Sequence, residues 1–424
     1  MTRLDRRLGA GDAVVIGLGS MLGAGVFVVF APAAGFAGGA GLLVALAIAG
    51  LVAFCNATSS ARLAALYPES GGTYVYGRER LGDTAGFVAG WAFVVGKTAS
   101  CAAMALTIGA YLWPAGARFV AVAAVAAVTA VNLRGVAKTA GVTRILVTVT
   151  LLVLGTVAVV GLAAGRLGVD HSGQFGGTGV RGVLAAAGLL FFAFAGYARI
   201  ATLGEEVRDP ARTIPRAIPL ALGLVLLIYL VLAVVCLSVL GTAGLAASTA
   251  PLADVVRAAG APALSWVVRL GAAVSVTGVL LTLLAGVGRT TLAMARRRDL
   301  PSGLAAVHPR YRVPHRAEIA VAIAVLGLVL LGDVVTAIGF SSCTVLVYYA
   351  VTNASALTLG RGRGWWVAAV GLLGCLLLAL TLPARSVIAG LAVLSAGLLA
   401  HLFLTHRPLL RRPRRPFLRR SRSK

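Results

Sequence analysis

The chain has 424 residues, of which 59% are hydrophobic and only 12% are charged. A soluble domain carries about 25% charged residues, so this composition excludes an ordinary soluble enzyme and indicates a membrane protein. The formal net charge of +25 would suggest a nucleic-acid partner in a soluble protein. The basic residues instead concentrate in alternate loops between the apolar segments. We therefore expect a lipid bilayer as their partner and no nucleic acid.

Twelve apolar segments that can cross a bilayer follow one another along the chain. We expect these spans at 13–36, 41–66, 84–112, 118–133, 143–164, 182–203, 217–241, 263–293, 318–332, 334–359, 365–382 and 386–405. The loops on one side are poor in basic residues and hold only Arg118, Arg166, Arg181, Arg257 and Arg385. The positive-inside rule then places both termini in the cytoplasm of a cell-membrane protein, with the basic tail 406–424 on anionic lipid.

Two of these spans contain sequences that interrupt a regular helix. Span one holds four glycines between Gly17 and Gly25, and each costs a helix about 1 kcal/mol relative to alanine. Span six holds the run Phe191-Phe-Ala-Phe-Ala-Gly-Tyr197. The two runs lie roughly 170 residues apart and open groups of five spans that start on opposite sides, a pattern typical of inverted repeats around a transport site.

The glycine run in span one allows three interpretations. Small residues let membrane helices pack closely, which would make the run structural. A dinucleotide-binding fingerprint fails, because no strand precedes Gly17 and the surroundings are apolar. In the third interpretation the helix is unwound there, and its free N–H groups hold a carboxylate near the membrane centre.

Five motifs give the chain a family resemblance. They are Gly19-Ser-Met-Leu-Gly-Ala-Gly-Val-Phe27, Tyr67-Pro-Glu-Ser-Gly-Gly-Thr-Tyr-Val-Tyr76, Phe191-Phe-Ala-Phe-Ala-Gly-Tyr197, Gly204-Glu-Glu-Val-Arg-Asp-Pro-Ala-Arg-Thr-Ile-Pro-Arg216 and Ala293-Met-Ala-Arg-Arg-Arg-Asp-Leu-Pro301. With them the chain resembles the amino acid/polyamine/organocation superfamily of permeases, and within it the cationic-amino-acid-transporter branch and related bacterial permeases.

The resemblance implies an all-α LeuT-type fold of five plus five inverted-repeat helices, about twelve in all, with helices one and six broken. The implied organisation is a tail (1–12), repeat one (13–164), repeat two (165–359), two further helices (360–405) and a basic tail (406–424). The substrate-binding residues that it implies are Gly19, Ser20, Met21, Gly23, Ala24, Gly25, Phe192, Ala193, Phe194, Ala195, Gly196 and Tyr197.

Within that set the resemblance implies separate roles. The N–H groups around Gly23, Ala24 and Gly25 would bind the substrate carboxylate, and carbonyls near Met21, Phe192, Ala193 and Ala195 would take its ammonium. Phe192 matches an aromatic gate in relatives, although ordinary apolar packing explains a phenylalanine equally well.

A charged stretch follows span six. Glu205, Glu206 and Asp209 stand beside Arg208 and two further arginines. Exchangeable ion pairs among them would latch an inward gate, and a solvated helix end is the alternative.

The sequence departs from the family at two ionisable positions. Relatives carry an acid in span three and a lysine in span five, where this chain has Gly96 and Thr150. None of its thirteen acids lies deep in a predicted span. Without such an acid we expect a neutral amino acid as substrate, with a cationic amino acid or polyamine as the alternative.

Lys97 lies about fourteen residues into span three, near the midplane, where a charge is expensive. One interpretation makes it a proton-coupling group, and another makes it a structural cap on carbonyls of a broken helix. If Lys97 is structural, Thr150 with Ser275, Thr277 and Thr282 could hold sodium. Arg199 could reach the cytoplasm or pair with the nearby acids.

We therefore expect a secondary active amino acid permease that works by alternating access, with proton symport or exchange. A channel or a non-transporting sensor is the alternative from another class, although a channel needs a continuous polar pore. We expect no enzyme activity, no cofactor and no metal constellation. The five cysteines are expected to be small buried apolar residues.

Overall fold

The computed structural model describes residues 9–67, 71–135, 140–164, 179–197, 200, 207 and 209–405. This part of the chain is helical and contains no β-strand. Its helices are α1 (Ala10–Met21), α2 (Ala24–Val28), α3 (Phe30–Ala37), α4 (Gly39–Leu66), α5 (Thr73–Leu81), α6 (Asp83–Leu112), α7 (Ala117–Leu133), α8 (Ala140–Ala163), α9 (Gly179–Phe194), α10 (Pro210–Ala247), α11 (Pro251–Ala258), α12 (Ser265–Arg296), α13 (His315–Leu331), α14 (Val334–Leu357), α15 (Arg363–Thr381) and α16 (Ala384–Thr405).

Eleven helical segments of the described chain are long and apolar enough to cross a membrane, against about twelve predicted. The predicted span that is not among the eleven is the ninth, 318–332, which corresponds to α13 and its 17 residues. At 1.5 Å per residue it reaches about 25 Å, less than the roughly 30 Å of a bilayer core. The predicted break between α13 and α14 is present, because the Asp333 carboxylate caps α14 by accepting a hydrogen bond from the Thr336 N–H at 2.9 Å.

The helix α6 lies at the centre of the bundle and is the most buried of the eleven candidate spans. It packs against α5, α7, α12 and α14. Gly96 permits the close approach of α14, because a Cβ there would lie 2.4 Å from Oγ1 of Thr344. The small residue at position 96 thus lets α6 pack closely in the core, whereas few residues of α16 are buried inside the protein, which suits a helix that faces lipid.

Some elements differ from the sequence expectation. The sequence predicted no helix at α5 or α11, two short segments that lie between spans. The helix α10 begins seven residues before its predicted start and continues through Pro215 and Pro219. Gly241, with φ of 66°, interrupts its far end. All five cysteines are buried and form no disulfide, as expected.

Candidate functional site

The predicted break in the first span lies between α1 and α2. The helix α1 ends at Met21, Leu22 and Gly23 have non-helical backbone angles, and α2 begins at Ala24. The φ of Gly23 is −95°, a value that does not require glycine. The interruption therefore lies within the glycine-rich run.

The second interrupted segment follows α9. The α-helix ends at Phe194 and tightens into a 3₁₀ turn over Ala195–Tyr197. The Ser20 hydroxyl, at the end of α1, lies 3.0 Å from the carbonyl oxygen of Gly196 in this turn. The predicted interruption of span six thus begins where expected, and its continuation lies outside the described residues.

The two interrupted segments touch through their backbones at two glycines. A Cβ on Gly25 would lie 2.5 Å from Cα of Ala193, and one on Gly196 would lie 2.2 Å from the Ser20 carbonyl oxygen. We call this contact of residues 20–25 with residues 193–197 the crossing. Both glycines provide the room for this contact, and at Gly25 the close approach agrees with the close-packing interpretation of the run in span one.

Tyr229 of α10 connects the two sides of the crossing. Its hydroxyl lies 2.7 Å from the Met21 carbonyl oxygen and 3.0 Å from that of Ala193. Sequence analysis missed Tyr229. The available signal was a tyrosine in an apolar span, because a buried phenolic hydroxyl needs a polar partner.

Lys97 reaches the same region from α6. Its side chain is buried, and its Nζ donates to the Ala195 carbonyl oxygen at 3.3 Å. The Tyr349 hydroxyl of α14, also absent from the sequence prediction, donates to that carbonyl at 3.4 Å. Among the described residues, the ammonium takes part in no ion pair. Internal donors therefore already contact three of the carbonyls predicted to receive a substrate ammonium.

Thr150 lies beside a second small site between α1, α8 and α12. Its hydroxyl donates to Oγ of Ser275 at 2.7 Å. Next to this pair is a cavity of about 20 Å³, lined by Gly19, Thr143, Leu146, Val147, Thr150, Ser275, Gly278 and Val279. That volume suffices for one water molecule or one small cation. Thr277 and Thr282, which we had grouped with Ser275, are not part of this lining.

The gate candidates fall in two classes. Phe192 is buried in α9, shortly before the 3₁₀ turn. The other gate candidates, Glu205, Glu206 and Arg208, lie outside the described residues, and so does Arg199, for which no gating role was predicted.

A separate buried cluster surrounds Asp299, at the far end of α12. Its carboxylate accepts hydrogen bonds from the Tyr74 hydroxyl at 2.5 Å and from the Arg78 guanidinium at 3.2 Å. His401 of α16 places Nδ1 3.8 Å from the same carboxylate and stacks on the Phe87 ring at 4.0 Å. These five residues form what we call the Asp299 cluster, which sequence analysis did not predict.

Local backbone geometry fixes Asp299 in this place. Arg298 adopts a left-handed φ of 64°, and the Asp299 N–H then bonds back to the Met294 carbonyl at 2.9 Å. This is a helix C-terminal motif in which a residue other than glycine accepts the unfavourable angle. Burial and the bond to Asp299 raise the pKa of Tyr74 well above its usual value, so the phenol remains a donor.

Comparisons with known proteins agree with this architecture. The profile of a family described as amino acid permease matches residues 8–403. An uncharacterized transporter of Mycobacterium bovis is 60% identical over 408 residues, covering 94% of this chain and 91% of that protein.

Two Bacillus subtilis proteins are more distant. They are a methylthioribose transporter, 28% identical, and a branched-chain amino acid permease, 27% identical, each covering 74% of this chain and 72% of the relative.

A solved structure also matches. It is MhsT in complex with L-phenylalanine, with a TM-score of 0.61 and 15% identity, covering 93% of this chain and all of that one. At this identity the likeness concerns the fold alone, and it confirms the predicted LeuT-type fold.

Proposed function

The chain belongs to the amino acid permease family, and from this premise we propose that it is a secondary active transporter that carries an amino acid across the cell membrane by alternating access. The observation that carries the proposal is the crossing, where two interrupted helices meet and their buried backbone departs from the regular α-helix. Irregular backbone at membrane depth is tolerated where it is buried in protein or lines a cavity, and carriers use it to bind substrate.

The proposed roles within the crossing follow the chemistry of its backbone. The N–H groups of Gly23, Ala24 and Gly25 bind the substrate carboxylate. Carbonyls of Met21, Ala193 and Ala195 receive the ammonium, and Gly19, Ser20, Phe192, Phe194, Gly196 and Tyr197 complete the binding region. Since Tyr229 and Lys97 now contact these carbonyls, substrate would have to share or replace their hydrogen bonds. That exchange gives bound and empty states different internal contacts, as alternating access requires.

The proposed organisation is that of inverted repeats. Residues 13–164 form one repeat, 165–359 the other, and 360–405 the two additional helices, with both termini in the cytoplasm. The basic tail 406–424 lies on anionic lipid. Phe192 and the charged stretch of Glu205, Glu206 and Arg208 are the proposed gates.

Two sites are candidates for coupling amino acid uptake to an ion gradient. Lys97, buried without an ionic partner among the described residues, could carry a proton. The Thr150–Ser275 cavity could hold a sodium ion, because hydroxyl and carbonyl oxygens suit hard cations. Lys97→Met should abolish uptake driven by a pH gradient in the first case. Thr150→Val with Ser275→Ala should abolish sodium-driven uptake in the second.

We propose that the substrate carries no cationic side chain. The described residues place no carboxylate at the crossing, and they place one ammonium there. A basic amino acid or polyamine would meet that positive charge without compensation.

The test is transport by the purified full-length protein in liposomes. A carrier predicts saturable uptake of a labelled amino acid and counterflow, in which internal unlabelled substrate accelerates entry of external label. Empty liposomes, and liposomes holding the protein without internal substrate, serve as controls. Flux that rises linearly with concentration and shows no counterflow would support a channel and overturn the proposal.

A further inference from the structure

Lys97 has an unusual chemical environment for a buried cation. Its side chain is 8% exposed, and the Ala195 carbonyl is its one hydrogen-bond acceptor among the described residues. An ammonium has three N–H donors, so two are left without a described acceptor. A buried charge is normally paired or fully hydrogen-bonded, and among the described residues this one is neither.

The acids of the described chain are engaged or lie elsewhere. Asp12 pairs with Arg144, Asp83 and Asp299 with Arg78, Asp209 with Arg212, and Asp254 with Arg257. Asp333 caps α14, and neither Glu79 nor Glu318 bonds to Lys97. The described protein therefore supplies no counter-anion to this ammonium.

The neighbours of Lys97 are polar but uncharged. Tyr349 donates its hydroxyl to the same carbonyl. On the next turn of α6, Ser100 bonds to Ser341 of α14 at 2.7 Å. None of these hydroxyls carries a negative charge that would neutralise a cation.

We infer that the Lys97 ammonium recognises a second carboxylate, so the transported substrate is an acidic amino acid of the aspartate or glutamate class. The inference rests on the proposed function and narrows its substrate. An acidic amino acid has a net charge of −1 at neutral pH, so its binding leaves the crossing neutral. A neutral amino acid leaves the cation uncompensated, and a basic one doubles the charge. This inference differs from the neutral substrate expected from the sequence, and the experiment below distinguishes the two.

The decisive comparison uses glutamate and glutamine, which have nearly the same shape and differ in one charge. Liposomes that contain the wild-type protein are loaded with unlabelled glutamate or glutamine. We then measure how strongly external glutamate, glutamine, leucine and lysine inhibit the counterflow of labelled glutamate. A charge-assisted hydrogen bond predicts that glutamate competes at least about tenfold better than glutamine. Aspartate should compete better than asparagine for the same reason.

Variants of Lys97 test whether this residue causes the preference for glutamate over glutamine. Lys97→Met should reduce the glutamate-to-glutamine ratio to about one, and Lys97→Arg should keep part of it. Thr98→Val is the matched control, because Thr98 is equally buried on α6 and its hydroxyl bonds to the Val94 carbonyl of its own helix. Its ratio should equal that of the wild type.

The outcomes separate the inference from the proposed function. Saturable counterflow of glutamine or leucine with no preference for glutamate would overturn the inference and leave the carrier intact. A preference that survives in Lys97→Met would also overturn it. Absence of counterflow with every amino acid would refute the proposed function itself. If Lys97→Met does not fold, the wild-type ratios still decide.

Discussion

The crossing and the Asp299 cluster are both buried and polar, but different chemistry holds them together. At the crossing, hydroxyls and one ammonium meet backbone carbonyls, and glycines allow backbone to touch backbone. In the Asp299 cluster, a carboxylate binds a guanidinium and a phenol. Single hydrogen bonds to carbonyls are weak enough to exchange, whereas removing one partner of a buried ion pair is costly. We therefore expect the hydrogen bonds of the crossing to exchange more readily than those of the Asp299 cluster.

The largest expected effect is at the crossing. Gly25→Val should abolish counterflow, because its Cβ would collide with the backbone of Ala193 and its side chain would cover the adjacent N–H groups. Gly155→Val is the control, since a Cβ there meets nothing within 4 Å. Transport is measured in liposomes and folding by size-exclusion chromatography. Retained transport in Gly25→Val would contradict the crossing geometry.

Removing a negative charge should lower the unfolding free energy more at the Asp299 cluster than at an exposed ion pair. Asp299→Asn leaves the partly buried Arg78 with one solvent-exposed carboxylate, that of Asp83, so we expect a loss of about 3 kcal/mol in unfolding free energy. Asp209→Asn, which breaks an exposed pair with Arg212, should cost about 0–1 kcal/mol. Thermal unfolding in detergent compares the two, and equal losses would argue against a holding role for the cluster.

A smaller effect should follow from removing one hydroxyl at the crossing. Tyr229→Phe deprives the Met21 and Ala193 carbonyls of their shared donor, and unsatisfied buried groups cost about 1–3 kcal/mol. Tyr311→Phe on the exposed surface should be neutral. The expected signature is a lowered unfolding midpoint together with a changed transport rate. A wild-type midpoint would show that Tyr229 does not brace the crossing.

The smallest effect concerns a helix cap in contact with water. Asp333→Ala should cost about 1 kcal/mol, the usual value of an N-cap, and leave transport unchanged. Burial acts to raise the pKa of Asp333, but hydrogen bonds from Thr336 and the charge of Arg118 outweigh it and lower the pKa.

A lowered folded-state pKa gives this cap a definite pH dependence. Its stabilisation should be fully present above about pH 4 and be lost as pH falls through the folded value. Unfolding midpoints of wild type and Asp333→Ala should therefore converge in acid. A constant difference between them would contradict the assigned cap.

The two regions also differ in how far sequence could predict them. The spans, the break at Leu22 and Gly23, and the turn after Phe194 follow from hydropathy and from glycine content, which are local properties. The resemblance named the residues of the crossing, including the donor Ser20, but not Tyr229, because the partners of Tyr229 are set by tertiary packing. The Asp299 cluster joins residues far apart in the chain and has no local pattern. Its loop motif, Ala293–Pro301, was visible without any indication of its partners.

The Asp299 cluster has a consequence for biosynthesis. One of its hydrogen bonds joins residues 225 positions apart, and His401 belongs to α16, the last described helix. During insertion, Tyr74 and Arg78 of α5 are made long before Asp299, and the cluster is complete only when α16 has entered the bundle. A chain that stalls before α16 keeps this polar surface partly open. The last contact of the cluster therefore forms only after nearly all of the described helices have been made.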